Sequence, residues 1–157
     1  MTTRHDQTQT LSIEFIECRW GLLFFNLHLG EKIFETNFSN VFDPLPSLKH
    51  WLEAVAIGVD QCSFQYDPEG DDVCFNFERR CYDFEVFSVG YAYDDEKSYF
   101  EGKIGRRQLV EAFYRGFLEY GNSPEFDRDS WAHDCIGEGS SELSEIRSPI
   151  IDAFSGS

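Results

Sequence analysis

Four acidic side chains fall within six positions of the stretch YDPEGDDVCF (Tyr66 to Phe75), namely Asp67, Glu69, Asp71 and Asp72. Carboxylates at that density can chelate a hard cation, work in pairs as acid and base, or crowd a turn. A helix-flanked calcium loop takes oxygen ligands at positions 1, 3, 5 and 12, and Asp67, Glu69, Asp71 and Glu78 stand at those spacings. The same loop needs glycine at position 6, where Asp72 stands, and Gly70 comes two residues early. Alternating aromatic residues on both sides predict strands, which would point Glu78 along a sheet and away from an ion. A turn accounts for the stretch with less. Pro68 fixes a turn-compatible dihedral, Gly70 accepts a positive one, and aspartate bonds nearby amides. The stretch reads as a hairpin turn and implies no metal.

Other chemistry is scattered. The four histidines (His5, His28, His50, His133) form no cluster. His28 and Cys18 are expected on neighbouring strands, where they could meet, but neither carries a nucleophile signature. His133, Asp134 and Cys135 make a loose metal-like trio with no second pair of ligands. No G-x-S-x-G, P-loop or dinucleotide fingerprint occurs, and GEGSS at Gly137 follows no strand. The expectation is a protein that is not an enzyme and uses no cofactor. The five cysteines (Cys18, Cys62, Cys74, Cys81, Cys135) include no C-x-x-C pair, and the opening MTTRHDQTQT has no apolar signal region. Reduced thiols and a cytoplasmic location are expected. Apolar runs such as WGLLFF are too short to cross a bilayer.

The elements that would position these residues follow from periodicity. TLSIEFIEC alternates Leu11, Ile13 and Phe15 against Ser12 and Glu14. WGLLFFNLHL places Leu23, Phe25, Leu27 and Leu29 on one face, and KIFETNF makes a third, shorter strand. Leu48, Trp51, Leu52, Val55, Ala56 and Val59 form a helical stripe that Ser47 can cap. In the next hairpin, pairing Asp67 with Asp72 sets Tyr66 opposite Val73, Phe64 opposite Phe75 and Cys62 opposite Phe77, all on one face. YDFEVFSVGYAYD changes phase at Val86 and Phe87, so either a bulge resets the face or both faces are covered; the bulge is the favoured reading. KSYFEGKIG folds back on it, and Leu109, Phe113, Gly116, Phe117 and Tyr120 define a second helix. Trp20, Trp51 and Trp131 are expected in the core or as docking residues, Phe126, Trp131 and Ile136 as anchors for the tail, and a short helix around Ser141 to Ile146.

The fold expected is α+β, a mostly antiparallel twisted sheet of about six to seven strands with two helices packed on one face. Residues 1–9 read as a frayed N-terminus, 10–120 as a single domain and 121–157 as an acidic, partly irregular extension. The chain has 157 residues, a formal net charge of -16 and a pI near 4.4, so nucleic acid and anionic membranes are unsuitable partners. A cationic protein is the natural partner. In an up-and-down meander alternate turns share one end, which would gather Asp67, Glu69, Asp71, Asp72, Asp94, Asp95 and Glu96 on one rim. Such a rim is either a pair of solvated tips or a partner-binding surface.

The order of three strands, a helix, four strands and a closing helix, carried by LSIEFIEC, LKHWLEAVAIG, VCFNFERR with YDFEVFSVGYAY, and RRQLVEAFYRGFLEY, resembles the small bacterial immunity proteins of polymorphic-toxin systems, the WapI-type among them. The resemblance is one of layout over about 110 residues of the sequence. It implies a non-catalytic cytoplasmic inhibitor that binds a toxin, often through an acidic surface. The contrasting expectation is a small-ligand or sensor domain with an aromatic pocket between helix and sheet, lined by Tyr91, Tyr93 and Trp51.

Overall fold

In the hairpin that brackets the acidic turn, Tyr66 pairs with Val73, Phe64 with Phe75 and Cys62 with Phe77. This is the register that hydrophobic alternation demands, since a slip of one residue would turn Phe64, Phe75 and Phe77 to solvent. The computed structural model describes residues 8–80, 84–91 and 98–133. Along them run β1 (Leu11–Arg19), β2 (Leu22–Leu29), β3 (Lys32–Ser39), a 3-10 turn (Asn40–Phe42), α1 (Leu45–Ile57), β4 (Gln61–Tyr66), β5 (Val73–Arg80), β6 (Phe84–Tyr91), β7 (Ser98–Lys103), α2 (Arg106–Gly121) and α3 (Arg128–His133). The segment around Ser141 to Ile146 and the anchor Ile136 lie outside the described residues.

The seven strands form two antiparallel sheets, β1-β2-β3 and β4-β5-β6-β7, where a single sheet was expected. The reason lies in the connection. After β3 the chain turns through Asn40–Phe42 into α1, so β4 returns beside β3 through side chains, with Tyr66 Oη and Thr36 Oγ1 2.7 Å apart and Asn37 Nδ2 donating to Pro68 O at 3.0 Å. A backbone bond from Gln9 N to Lys103 O (2.8 Å) ties the lead-in of β1 to β7.

Between the sheets and helices lies an aromatic core. Trp51 of α1 stands edge-on to Phe113 of α2, with centroids 5.6 Å apart, and stacks on Phe64. Phe117 reaches Phe25 and Phe38 of the first sheet, while Phe113 meets Phe75 and Phe87 of the second. Edge-to-face pairs of this kind add about 0.5–1.5 kcal/mol each beyond the area they bury. Gly116 leaves room for β1, since a Cβ there would meet Phe15 and Ile13 at 3.4 and 3.5 Å. The core continues past α2 through Phe126 and Trp131, and Asn40 Nδ2 donates to the Trp131 carbonyl.

Three local expectations change. Helix α1 starts at Leu45, three residues before Leu48, because Pro46 falls in the first turn, where a missing N–H costs nothing, and Asp43 Oδ1 accepts from Leu45 N. It stops at Gly58, whose φ of 105° lets its N–H close on Ala54 and Val55 carbonyls, which leaves Val59 outside the buried stripe. In β6 no bulge falls at Val86 and Phe87: pairing with β5 is continuous, and both faces are buried there. The irregularity sits instead between Val89 and Gly90 on the β7 side. Trp20, expected in the core or docked, is 72% exposed in the two-residue turn between β1 and β2.

Candidate functional site

The acidic turn is a built structure. Asp67 Oδ1 accepts from the backbone N–H groups of Glu69 (2.7 Å) and Gly70 (3.1 Å), the local bonding that makes aspartate a turn former. Ser39 Oγ donates to Glu69 Oε2 at 2.8 Å and accepts from Val41 N, which pins the tip to the end of β3. Asp72 Oδ2 accepts from Gln65 Nε2 at 2.9 Å, and Asp71 is exposed. Glu78, at the twelfth position of the calcium-loop pattern, is paired opposite Gln61 at the far end of the hairpin, where it binds Arg80.

Tyr66, Val73 and Tyr91 lie in one row across β4, β5 and β6, and Gly90 pairs with Ser98 of β7. The β4–β5 turn and the β6–β7 connection therefore leave the sheet at the same end. Asp94, Asp95 and Glu96 lie outside the described residues, so the expectation that they join Asp67, Glu69, Asp71 and Asp72 rests on this strand order.

Charge is segregated along the second sheet. At the end opposite the tip, Arg79 faces Asp60 at 3.7 Å, Arg80 binds Glu78 and Glu101, Arg106 binds Glu85 at 2.6 Å and Arg107 binds Glu111 at 3.1 Å. At the tip, the contacts of Asp67 and Glu69 are with neutral donors. Among the described residues no lysine or arginine lies within ion-pair distance of Asp67, Glu69 or Asp71.

Next to the tip stands an apolar corner that sequence reasoning did not find. Trp20 has a φ of 56°, and Asn40 N donates to Gly21 O at 2.9 Å, so the Trp20 turn sits against the segment that carries Val41 and Phe42, which are 60% and 53% exposed. Ser39, one residue before Asn40, holds Glu69. Apolar corner and acidic tip are therefore contiguous. Arg19 covers one side of the Trp20 ring, with its guanidinium carbon 4.4 Å from the centroid, and pairs with Glu17. The one available signal was the WG pair between two strands, which marks a turn and so an exposed tryptophan.

The remaining candidates disperse. His28 pairs opposite Ser12 and Cys18 opposite Leu23, so the two lie toward different ends of the first sheet. His28 Nε2 is 2.9 Å from Glu14 Oε1, and that hydrogen bond, aided by Asn26, holds the Glu14 carboxyl below its ordinary value. Burial pushes the Cys18 thiol up to about 12 and also raises Cys62 and Cys74, the opposite of an activated thiolate. Asp134 and Cys135 lie outside the described residues, as does Tyr93. Trp51, assigned to the wall of an aromatic pocket, is packed among Phe64, Phe75, Phe87 and Phe113 and fills that space. Comparison with protein-family models, curated proteins and solved structures found no match. No helix among the described residues is long and apolar enough to cross a membrane.

Proposed function

We propose that this chain is a non-catalytic acidic protein-binding module that neutralises a cationic toxin or enzyme by covering it, as the likeness in layout to immunity proteins implies. Charge segregation is the observation that carries this reading. Arg79, Arg80, Arg106 and Arg107 are engaged at one end of the second sheet, whereas Asp67, Glu69 and Asp71 at the other end have no lysine or arginine within ion-pair distance among the described residues. Like charges gathered at one rim focus the field and accelerate encounter with a positive partner. The contact surface comprises Asp67, Glu69, Asp71 and Asp72, with Asp94, Asp95 and Glu96 on the neighbouring connection. Trp20, Val41 and Phe42 supply the apolar centre that a specific interface needs beside its charged rim.

A basic protein encoded beside this chain is the partner to test. The two should co-elute from gel filtration, co-expression should relieve any growth defect the basic protein causes, and association should slow about tenfold between 50 and 300 mM salt. Failure to co-elute with every neighbouring basic protein, or an association rate indifferent to salt, would refute the reading.

A further inference from the structure

Asn40 is a buried polar residue where three surface segments meet. It opens the 3-10 turn that carries Val41 and Phe42, its N–H donates to Gly21 O in the Trp20 turn at 2.9 Å, and its Nδ2 donates to the Trp131 carbonyl of α3. The Asn40 side chain also fills the space beside Gly21, where a Cβ would lie 2.5 Å from Asn40 Oδ1. The residue that joins the two halves of the apolar corner is therefore held from α3.

Six residues are too few to stay helical alone, so α3 is ordered by what it packs against. Trp131 is 1% exposed, and Phe126, just ahead of α3, meets Tyr120 with ring centroids 5.4 Å apart. Asp127 Oδ1 accepts from Ser130 N at 3.0 Å and closes the first turn. This anchorage is opposed along the same seam. Asn40 Oδ1, the Tyr120 hydroxyl and the Trp131 indole N–H are buried there without a hydrogen-bond partner among the described residues, and undocking of α3 would return them to water. Beneath the segment lies Cys18, buried beside Asp127 and Ser130.

We propose that α3 is a latch on the apolar corner. Docked, Trp131 fixes Asn40, and through it the Trp20 turn and the Val41–Phe42 segment; undocked, it releases both and uncovers Cys18. The latch opens ahead of the aromatic core, because its two aromatic anchors work against unpaired polar groups that the core proper does not carry. A partner that needs the corner preset binds the docked form, so its binding must in turn hold the latch closed. That coupling rests on the reading of the corner as a contact surface, whereas the latch itself does not.

Labelling of the full chain with N-ethylmaleimide, with Cys18 read from the mass of its peptide, tests the proposal at increasing urea. Below the unfolding transition the Cys18 rate should rise with urea less than about half as steeply as global unfolding does, since only one segment opens. The backbone amides of Asn40 and Trp131 should exchange at least about tenfold faster than those of Phe75 and Phe113. Trp131→Ala should speed Cys18 labelling and Asn40 exchange by about tenfold or more and leave Phe75 and Phe113 within about twofold. A bound basic partner should slow Cys18 labelling by about tenfold. A Cys18 rate with the full urea dependence of unfolding overturns the latch in the wild-type chain alone. So does a Trp131→Ala variant that labels like wild type or that speeds exchange in the core equally. A partner that binds without slowing Cys18 overturns the coupling, even where its association rate follows salt as the acidic tip requires.

Discussion

Arg106 joins three elements, and its removal should be among the costliest single changes outside the core. Its backbone N–H and Nε both donate to Glu85 of β6, at 3.1 and 2.6 Å, while Nη1 donates to the Val55 carbonyl at the end of α1 at 2.9 Å. The guanidinium also lies over Phe77, 5.1 Å from the ring centroid. The two charged side chains are 20% and 23% exposed, so water screens them only in part. Hydrogen bonds to charged groups contribute about 1.5–3 kcal/mol and a cation–π contact about 0.5–1, reduced here by residual solvent. Arg106→Ala should therefore destabilise the fold by about 2–4 kcal/mol, much of it from leaving Glu85 half-buried with a single backbone donor. With a urea slope near 2 kcal/mol/M, the midpoint should fall by about 1–2 M. Arg106→Lys keeps the charge but not the fork, and should recover roughly half of the loss. The exposed pair Arg107 and Glu111 is the internal control, and Arg107→Ala should cost under about 0.5 kcal/mol. If Arg106→Ala and Arg107→Ala shift the midpoint equally, the three-way contact does not hold α1, β6 and α2 together.

Other outcomes follow from the same contacts. Gly102→Ala drives a methyl into Leu29 and Gln9 and should cost about 1–3 kcal/mol, read as a lowered melting temperature; an unchanged melting temperature would show that β7 moves freely there. Trp20 occupies a left-handed conformation that asparagine or glycine adopts more readily, so Trp20→Asn should stabilise the free protein by up to about 1 kcal/mol in urea while weakening capture of the partner. Burial raises Cys18 and Tyr120 to about 12 from 9.0 and 10.0, so the folded state keeps both protonated where the unfolded chain ionises. Stability from these groups is complete below pH 9 and is lost as pH rises toward 12, at about 1.4 kcal/mol per unit for each group in its window, and Cys18→Ala should flatten the pH 9–10 part of that decline.

The hairpin of β4 and β5 was legible because alternation and turn position specify its register independently. The face of β2 was legible too, with Leu23, Phe25, Leu27 and Leu29 all buried. The start of α1 was not, since Pro44 and Pro46 read as breakers until Pro46 is seen in a first turn. In β6 the phase change at Val86 was visible, but whether a bulge or a second apolar face resolves it depends on Arg80 and Lys103, which pairing alone brings there. The division into two sheets was hidden for a similar reason, because no local pattern says that β3 and β4 meet through Thr36 and Tyr66. The seam under α3 collects Cys18, Asn40, Tyr120 and Trp131 from four separate stretches, and no spacing rule links them. At the tip the residues were readable and their electrostatic state was not, because that depends on where the arginines pair.

The central claim is one of position: charge at the tip matters to a partner more than charge elsewhere. Stopped-flow association with the neighbouring basic protein at low salt, comparing Glu69→Gln with Asp71→Asn against Glu119→Gln with Glu125→Gln, holds the change in net charge equal. The tip pair should slow association about three- to tenfold and the control pair less than about twofold. Equal slowing by the two pairs would mean that only net charge attracts the partner, and the carboxylate tip would then be no binding surface.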